Sequence, residues 1–187
     1  MLFRSIETVA EVIALRGAGL PVVVDPVMVA KGGHRLLADA AVAHLRDRLV
    51  PLATVLTPNL PEAAVLVGFA IDDEAAMRRA AVALRGLGAG AVLLKGGHLP
   101  GDALVDVLAT ADGVVAFRGA RIMTRHTHGT GCTLASAVAA GLAQGMGLVD
   151  AVARARAYVR AALASAPGFG GGHGPLNHAV TVDLARI

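Results

Sequence analysis

Tryptophan is absent from this 187-residue sequence, and four phenylalanines and one tyrosine are its whole supply of aromatic rings. Platforms for stacking unpaired bases are therefore scarce, and a net charge of +3 does not by itself make a nucleic-acid binder, so no nucleic-acid partner is expected. Cysteine occurs once, at Cys132, which excludes an intrachain disulfide and suits a reducing cytoplasm. Charged residues make up only 17% against 55% hydrophobic, a balance that excludes disorder and supports a sizeable core, most simply a single domain over 1–187. The start shows no charged-then-apolar signal segment. Positions 129–149 lack charge over a length that could nominally span a bilayer, but they are mostly Ala, Gly, Ser and Thr. Leu134, Val138, Leu142 and Met146 fall on one stripe there, the pattern of a buried helix, so no membrane partner is expected.

What is present is a repeated cycle. An amphipathic helix with Ser5 as its cap and Gly17 after its end leads into the β-branched run Pro21-Val22-Val23-Val24-Asp25, stopped by Pro26. The Lys31-Gly32-Gly33 loop and a helix over about 40–49 follow. A second run, Thr54-Val55-Leu56-Thr57, ends in Pro58-Asn59, and Pro61 suits the first turn of a helix carrying Glu62. Asp72 or Asp73 caps another helix to about Leu84, and Ala91-Val92-Leu93-Leu94 is closed by Lys95-Gly96-Gly97. Apolar runs without alternation, separated by helices, predict an α/β fold with a mostly parallel sheet covered by helices on both faces. Residues 103–108 and 113–118 read as a hairpin, and helices are expected over about 131–145 and 148–165 before a glycine-rich tail.

Ligands of open α/β sheets bind beyond the carboxyl ends of the parallel strands, and here those ends are polar: Asp25, Thr57 with Asn59, and Lys95. Lysine is nearly missing, with Lys31 and Lys95 as its two occurrences, each directly before Gly-Gly-His. A lysine at a strand end beside bare glycine backbone is a compact point charge suited to a phosphate. In Gly129-Thr130-Gly131-Cys132, glycines at a helix start let backbone N–H groups converge on an anion, aided by the helix dipole. No Gly-Lys-Ser/Thr follows, so this is not a Walker loop, and its spacing does not match a dinucleotide fingerprint. At such a position the thiolate of Cys132 is favoured and could serve as base or nucleophile near neutral pH. One cysteine with scattered histidines gives no zinc spacing. Asp25 and Glu62 suit Mg²⁺ held through water.

Taken in order, Val24-Asp25-Pro26-Val27-Met28, Thr57-Pro58-Asn59-Leu60-Pro61-Glu62, Lys95-Gly96-Gly97-His98 and Thr127-His128-Gly129-Thr130-Gly131-Cys132 resemble the hydroxymethylpyrimidine/phosphomethylpyrimidine kinases of thiamine biosynthesis. The tail Gly172-His173-Gly174-Pro175-Leu176-Asn177-His178 is similar to their C-terminus. The resemblance implies a ribokinase-like fold, ATP with Mg²⁺, and phosphorylation of 4-amino-5-hydroxymethyl-2-methylpyrimidine and then of its monophosphate. It implies Cys132 as the base for the alcohol proton, with the backbone amides around Gly129, Thr130, Gly131 and Cys132 holding the transferring phosphoryl. Lys95, Asn59 and Glu62 would serve the ATP phosphates, Asp25 and Glu62 the metal, and Val27 and Met1 the pyrimidine. Met1-Leu2 falls where members of the family are already well into the fold, so their first strand-helix units are expected to be missing here. An uncovered strand edge would then favour a homo-oligomer. A pyridoxal-type kinase and a nucleotide-binding remnant without turnover are the alternatives.

Overall fold

The computed structural model describes residues 2–15, 19–28 and 36–181. Met1 and the Lys31-Gly32-Gly33 loop lie outside the described residues. The chain divides into two units, Met1–Ala120 and Arg121–Ile187.

The first unit is built on a sheet of β1 (Val23–Val24), β2 (Val55–Leu56), β3 (Ala91–Leu94), β4 (Ala103–Thr110) and β5 (Gly113–Ala120), in that spatial order. β1, β2 and β3 are parallel, with Val23 opposite Val55 and Val55 opposite Ala91. β4 runs antiparallel to both β3 and β5, so it alone is reversed and the other four strands share one direction. The expected hairpin is present and extends two residues further on each strand, with Thr110 opposite Gly113 across an Ala111-Asp112 turn. Gly113 takes φ 137°, a conformation that a side chain would strain. All four residues of β3 are buried, as are Val105 to Ala109 of β4, so both faces of the sheet centre are covered.

Helix α1 spans Leu2–Leu15, so Ser5 lies inside its first turns and is not its cap. Nothing between Leu2 and Ser5 breaks a helix, and a serine competes poorly as a start signal when the residues before it also favour helix. The helix expected over about 40–49 changes geometry midway. An α-helical α2 (Asp39–His44) passes into a π turn (Leu45–Leu49) and a 3₁₀ turn (Val50–Leu52). Ala41, Leu45 and Val50 are the buried residues of this segment, and the wider turn accommodates the five-residue step from Leu45 to Val50. Helix α3 (Leu60–Val67) begins at Asn59, and α4 (Glu74–Arg85) begins at Asp73, whose Oδ1 accepts from Ala76 N at 2.6 Å. Met77, Ala80, Ala81 and Leu84 of α4 pack into the core with Val92 and Leu94 of β3 and Val107 of β4. Each large apolar side chain fully removed from water there contributes about 1.5–3 kcal/mol.

In the second unit α5 (Thr130–Ala143) packs against α6 (Leu148–Ala164). The buried face of α5 is Leu134, Ala135, Val138 and Gly141, while Leu142 is half-buried and Met146 lies past the helix end. The stripe read from sequence turns aside because a Cβ on Gly141 would lie 2.9 Å from Ala151 Cβ. The two helices approach too closely at that point for anything but glycine. No helix among the described residues is long and apolar enough to cross a membrane.

Candidate active site

Parallel pairing brings the carboxyl ends of β1, β2 and β3 side by side. Thr57 N donates to Val24 O at 2.9 Å, and Lys95 N donates to Pro58 O at 2.9 Å. Asp25, Thr57 and Lys95 therefore converge, as their strand-end positions predict. Lys95 Nζ donates to Asp25 Oδ1 at 2.8 Å, and Thr57 Oγ1 reaches the same oxygen at 3.1 Å. The Lys95 and Asp25 side chains are 13% and 15% exposed, so the pair is partly shielded yet open on one side. Among the described residues the ammonium uses one of its three donors, and Asp25 Oδ2 has no protein partner.

At the start of α3 two side chains satisfy each other's backbone. Glu62 N donates to Asn59 Oδ1 at 2.9 Å, and Asn59 N donates to Glu62 Oε2 at 2.8 Å. This reciprocal cap uses the oxygen of Asn59 and leaves its Nδ2 donors without a partner among the described residues. Glu62 is 2% exposed, and burial raises its pKa. The Asp25 charge adds to that rise, while the N–H groups of Asn59 and Met28 and the Lys95 charge oppose it. Glu62 thus links the first turn of α3 to the chain just beyond β1.

A glutamate whose folded pKa lies above its ordinary 4.5 binds more protons folded than unfolded. Its contribution to stability is therefore most favourable below pH 4.5 and is lost as pH rises through the folded pKa. Glu62→Gln keeps the capping pattern, and the stability of wild type relative to this variant is expected to fall as pH rises from about 4.5 upward. Urea unfolding across that range measures it, and parallel curves for the two proteins would count against a buried, ionising Glu62.

The loop after β3 rests on a residue that the sequence did not single out. Gly96 N donates to Asp106 Oδ1 at 2.9 Å, and Asp106 is 5% exposed within β4. A Cβ on Gly96 would lie 1.8 Å from Val105 O, so glycine is required there by close approach of two backbones. The available signal is a carboxylate interrupting the apolar run Leu104-Val105-Asp106-Val107-Leu108.

In the second unit Gly129 adopts φ 82° as the residue before α5, and Thr133 N to Gly129 O at 2.9 Å opens the helical ladder. The N–H groups of Thr130, Gly131 and Cys132 precede that first ladder bond, the arrangement expected of an anion-binding helix start. Thr130 Oγ1 donates to Thr127 O at 2.8 Å and braces the turn. Cys132 is exposed in the first turn. His178, exposed in the tail, has its Nε2 3.0 Å from Thr133 Oγ1. Val27 is 41% exposed beside Asp25, whose carbonyl accepts from Val27 N at 2.9 Å.

Among the described residues no three His, Cys, Asp or Glu side chains cluster to hold a metal by themselves. Magnesium does not require that, since it keeps several waters and needs one or two carboxylates alongside phosphate oxygens. The open Oδ2 of Asp25 and the adjoining Glu62 fit such a role.

The family described as Phosphomethylpyrimidine kinase matches residues 1–177. A hydroxymethylpyrimidine/phosphomethylpyrimidine kinase of Streptomyces coelicolor is 51% identical over 173 residues, which cover 92% of this chain and 63% of that protein. Among solved structures, an ADP complex of Bacillus subtilis pyridoxal kinase superposes with TM-score 0.88 at 36% identity, covering 96% of this chain and 67% of the other. A phosphomethylpyrimidine kinase from Clostridium difficile superposes with TM-score 0.72 at 34% identity, covering 84% and 63%. The chain thus spans about 63% of the length of its Streptomyces relative.

Proposed function

The chain belongs to the phosphomethylpyrimidine kinase family, with a ribokinase-like α/β fold, and on that premise we propose that it transfers the γ-phosphoryl of ATP to a pyrimidine of thiamine biosynthesis. The first acceptor is the alcohol of 4-amino-5-hydroxymethyl-2-methylpyrimidine, and the second is the phosphate of the product. Both units belong, in this reading, to one kinase domain that works as a cytoplasmic homo-oligomer. The observation that carries the proposal is Lys95, held at a parallel strand end 2.8 Å from Asp25 and partly open to solvent.

In the first transfer the Cys132 thiolate accepts the alcohol proton. The alcohol oxygen bonds to the γ-phosphorus as the bond to the bridging oxygen breaks, and ADP leaves. The amides of Thr130, Gly131 and Cys132 hold the transferring phosphoryl, an electrostatic contribution fixed before the reaction begins. Lys95 and Asn59 Nδ2 bind ATP phosphates. Asp25 and Glu62 would hold Mg²⁺ through water, and the ion when bound would supply charge neutralisation for the phosphates. Val27 and Met1 contribute contacts to the pyrimidine.

Pyridoxal is the competing alcohol, because the B. subtilis pyridoxal kinase superposes well on this chain. The test assays ADP release with each alcohol in turn. A kcat/KM at least about tenfold higher for the pyrimidine is expected, the discrimination that roughly 1.4 kcal/mol of differential transition-state binding provides. The reverse order assigns the chain to pyridoxal. Nucleotide binding without ADP release from either alcohol identifies a remnant that no longer turns over.

Lys95→Ala is expected to raise the KM for ATP by roughly 10- to 100-fold, the loss of one charge-assisted phosphate contact. Lys95→Arg should restore only part of it, because a planar fork replaces a point charge beside the tightly packed Gly96. Steady-state kinetics with varied ATP measure both, and equal values for all three proteins would remove Lys95 from the phosphate site.

A further inference from the structure

The tail motif has no part in the chemistry above, yet it is bound along much of its length within the second unit. His128 N donates to Gly174 O at 3.2 Å, and His128 pairs with Pro175 in a parallel bridge. Leu176 is 3% exposed, with its Cδ1 3.8 Å from where a Cβ on Gly129 would lie. Asn177 N donates at 3.0 Å to Ala162 O, a carbonyl in the last turn of α6. His178 is engaged at both ends: its carbonyl accepts from Tyr158 Oη at 2.8 Å, and its Nε2 is 3.0 Å from Thr133 Oγ1.

We propose that this tail is a clamp on the first turn of α5 and that His178 is a positioning residue for the phosphoryl-binding amides and for Cys132. The N-cap of α5 is Gly129, with no side-chain hydrogen bond to its first turn. A helix start without a side-chain cap frays more readily than a capped one. The tail adds restraint from outside the helix, beyond the local brace of Thr130 on Thr127. Leu176 packs beside the left-handed Gly129, the backbone of Gly174 holds the residue before it, and His178 ties Thr133 to Tyr158 on α6. Thr133 directly follows Cys132, so a restraint there limits the wander of the thiol as well as of the amides. Two helices that meet through buried small residues are rigid relative to each other, and anchoring the tail on α6 transfers that rigidity to the start of α5. The clamp deepens the kinase reading, and its kinetic effect rests on that reading. Its effect on the backbone does not.

The test uses the whole chain and three variants, His178→Ala, His178→Gln and Tyr158→Phe, with two readouts. Hydrogen exchange of the amides in 130–134 is expected to quicken by about tenfold in His178→Ala, the loss of roughly one hydrogen bond's worth of local protection, and by less in Tyr158→Phe. Turnover should fall by about tenfold or more in His178→Ala with the KM for ATP within about twofold, because misplacement of reacting groups acts on the chemical step. Glutamine can reach Thr133 with a polar end and should recover a large part of both. Unchanged exchange at 130–134 in both His178→Ala and Tyr158→Phe overturns the clamp whether or not the chain turns over. Quickened exchange with unchanged turnover overturns the positioning role. Quickened exchange in a chain that phosphorylates neither alcohol supports the clamp and overturns the kinase reading instead.

Discussion

Replacing Cys132 by alanine is expected to lower turnover by about 10²- to 10⁴-fold while leaving nucleotide affinity within about twofold. The proton of the acceptor alcohol must leave as the oxygen–phosphorus bond forms, and in the proposed site Cys132 is the group that takes it. The side chain is exposed in the first turn of α5, so its removal opens no cavity, and alanine favours helix more than cysteine does. Thermal stability should therefore hold or rise slightly, which separates a chemical loss from a folding loss. Cys132→Ser keeps a hydroxyl of much higher pKa and should fall between the two proteins. Rates with each alcohol at saturating ATP, beside a melting curve for each variant, make the measurement. Unchanged turnover in Cys132→Ala would remove the thiol from the mechanism and leave the amides to act with water as base.

The second large effect is on stability, and it sets two neighbouring glycines apart. Gly96→Ala places a methyl 1.8 Å from Val105 O, a backbone atom held in the centre of the sheet. Relief requires β3 and β4 to separate at their ends, which also pulls Gly96 N from Asp106. A cost of about 3 kcal/mol or more is expected, from overpacking together with a buried carboxylate left short of a donor. A Cβ on Gly97 meets only Leu104 Cδ1, at 4.0 Å, so Gly97→Ala should stay within about 1 kcal/mol. Chemical denaturation of the two variants beside wild type tests the contrast, and similar losses at both positions would contradict the close approach at Gly96. Lys95 precedes this junction, so a displaced Gly96 should also weaken ATP use in whatever fraction stays folded.

The course of the chain was readable where a local pattern and the tertiary demand coincide. Ala91–Leu94 was read to the residue because a fully buried central strand must be apolar at every position, and Gly96 follows it at a backbone contact. The cap of α4 was readable as Asp72 or Asp73, because capping is local, and the structure selects Asp73; the cap role of Asn59 was not read, although Glu62 three residues on completes the pattern. The convergence of Asp25, Thr57 and Lys95 followed from one topological rule, that parallel strands end together. What escaped were contacts whose partners lie far off in sequence or depend on spacing between elements. Asp106 looks like one polar residue on a half-exposed strand until its 10-residue link to Gly96 is known. His178 acquires its partner Thr133 across 45 residues, and no nearby pattern signals that. The π turn at Leu45–Leu49 answers to what Leu45 and Val50 must fill, which a 3.6-residue reading misses.

The ion pair between Asp25 and Lys95 spans 70 residues of chain. Hairpins such as β4 with β5 close in roughly 1–10 μs, whereas parallel pairings must first bring distant segments together across intervening helices. Val23 meets Val55, and Val55 meets Ala91, only after such closures. Asp25 therefore cannot take its place beside Lys95 until the longest loops of the first unit have shut. A chain halted with its hairpin and β3 formed would already own the lysine, yet its ammonium would stand alone, a bare cation with nothing to hold its aim. The carboxylate at the end of β1 can meet its lysine only once those parallel pairings are closed, so the charge balance of the site is a property of the finished fold.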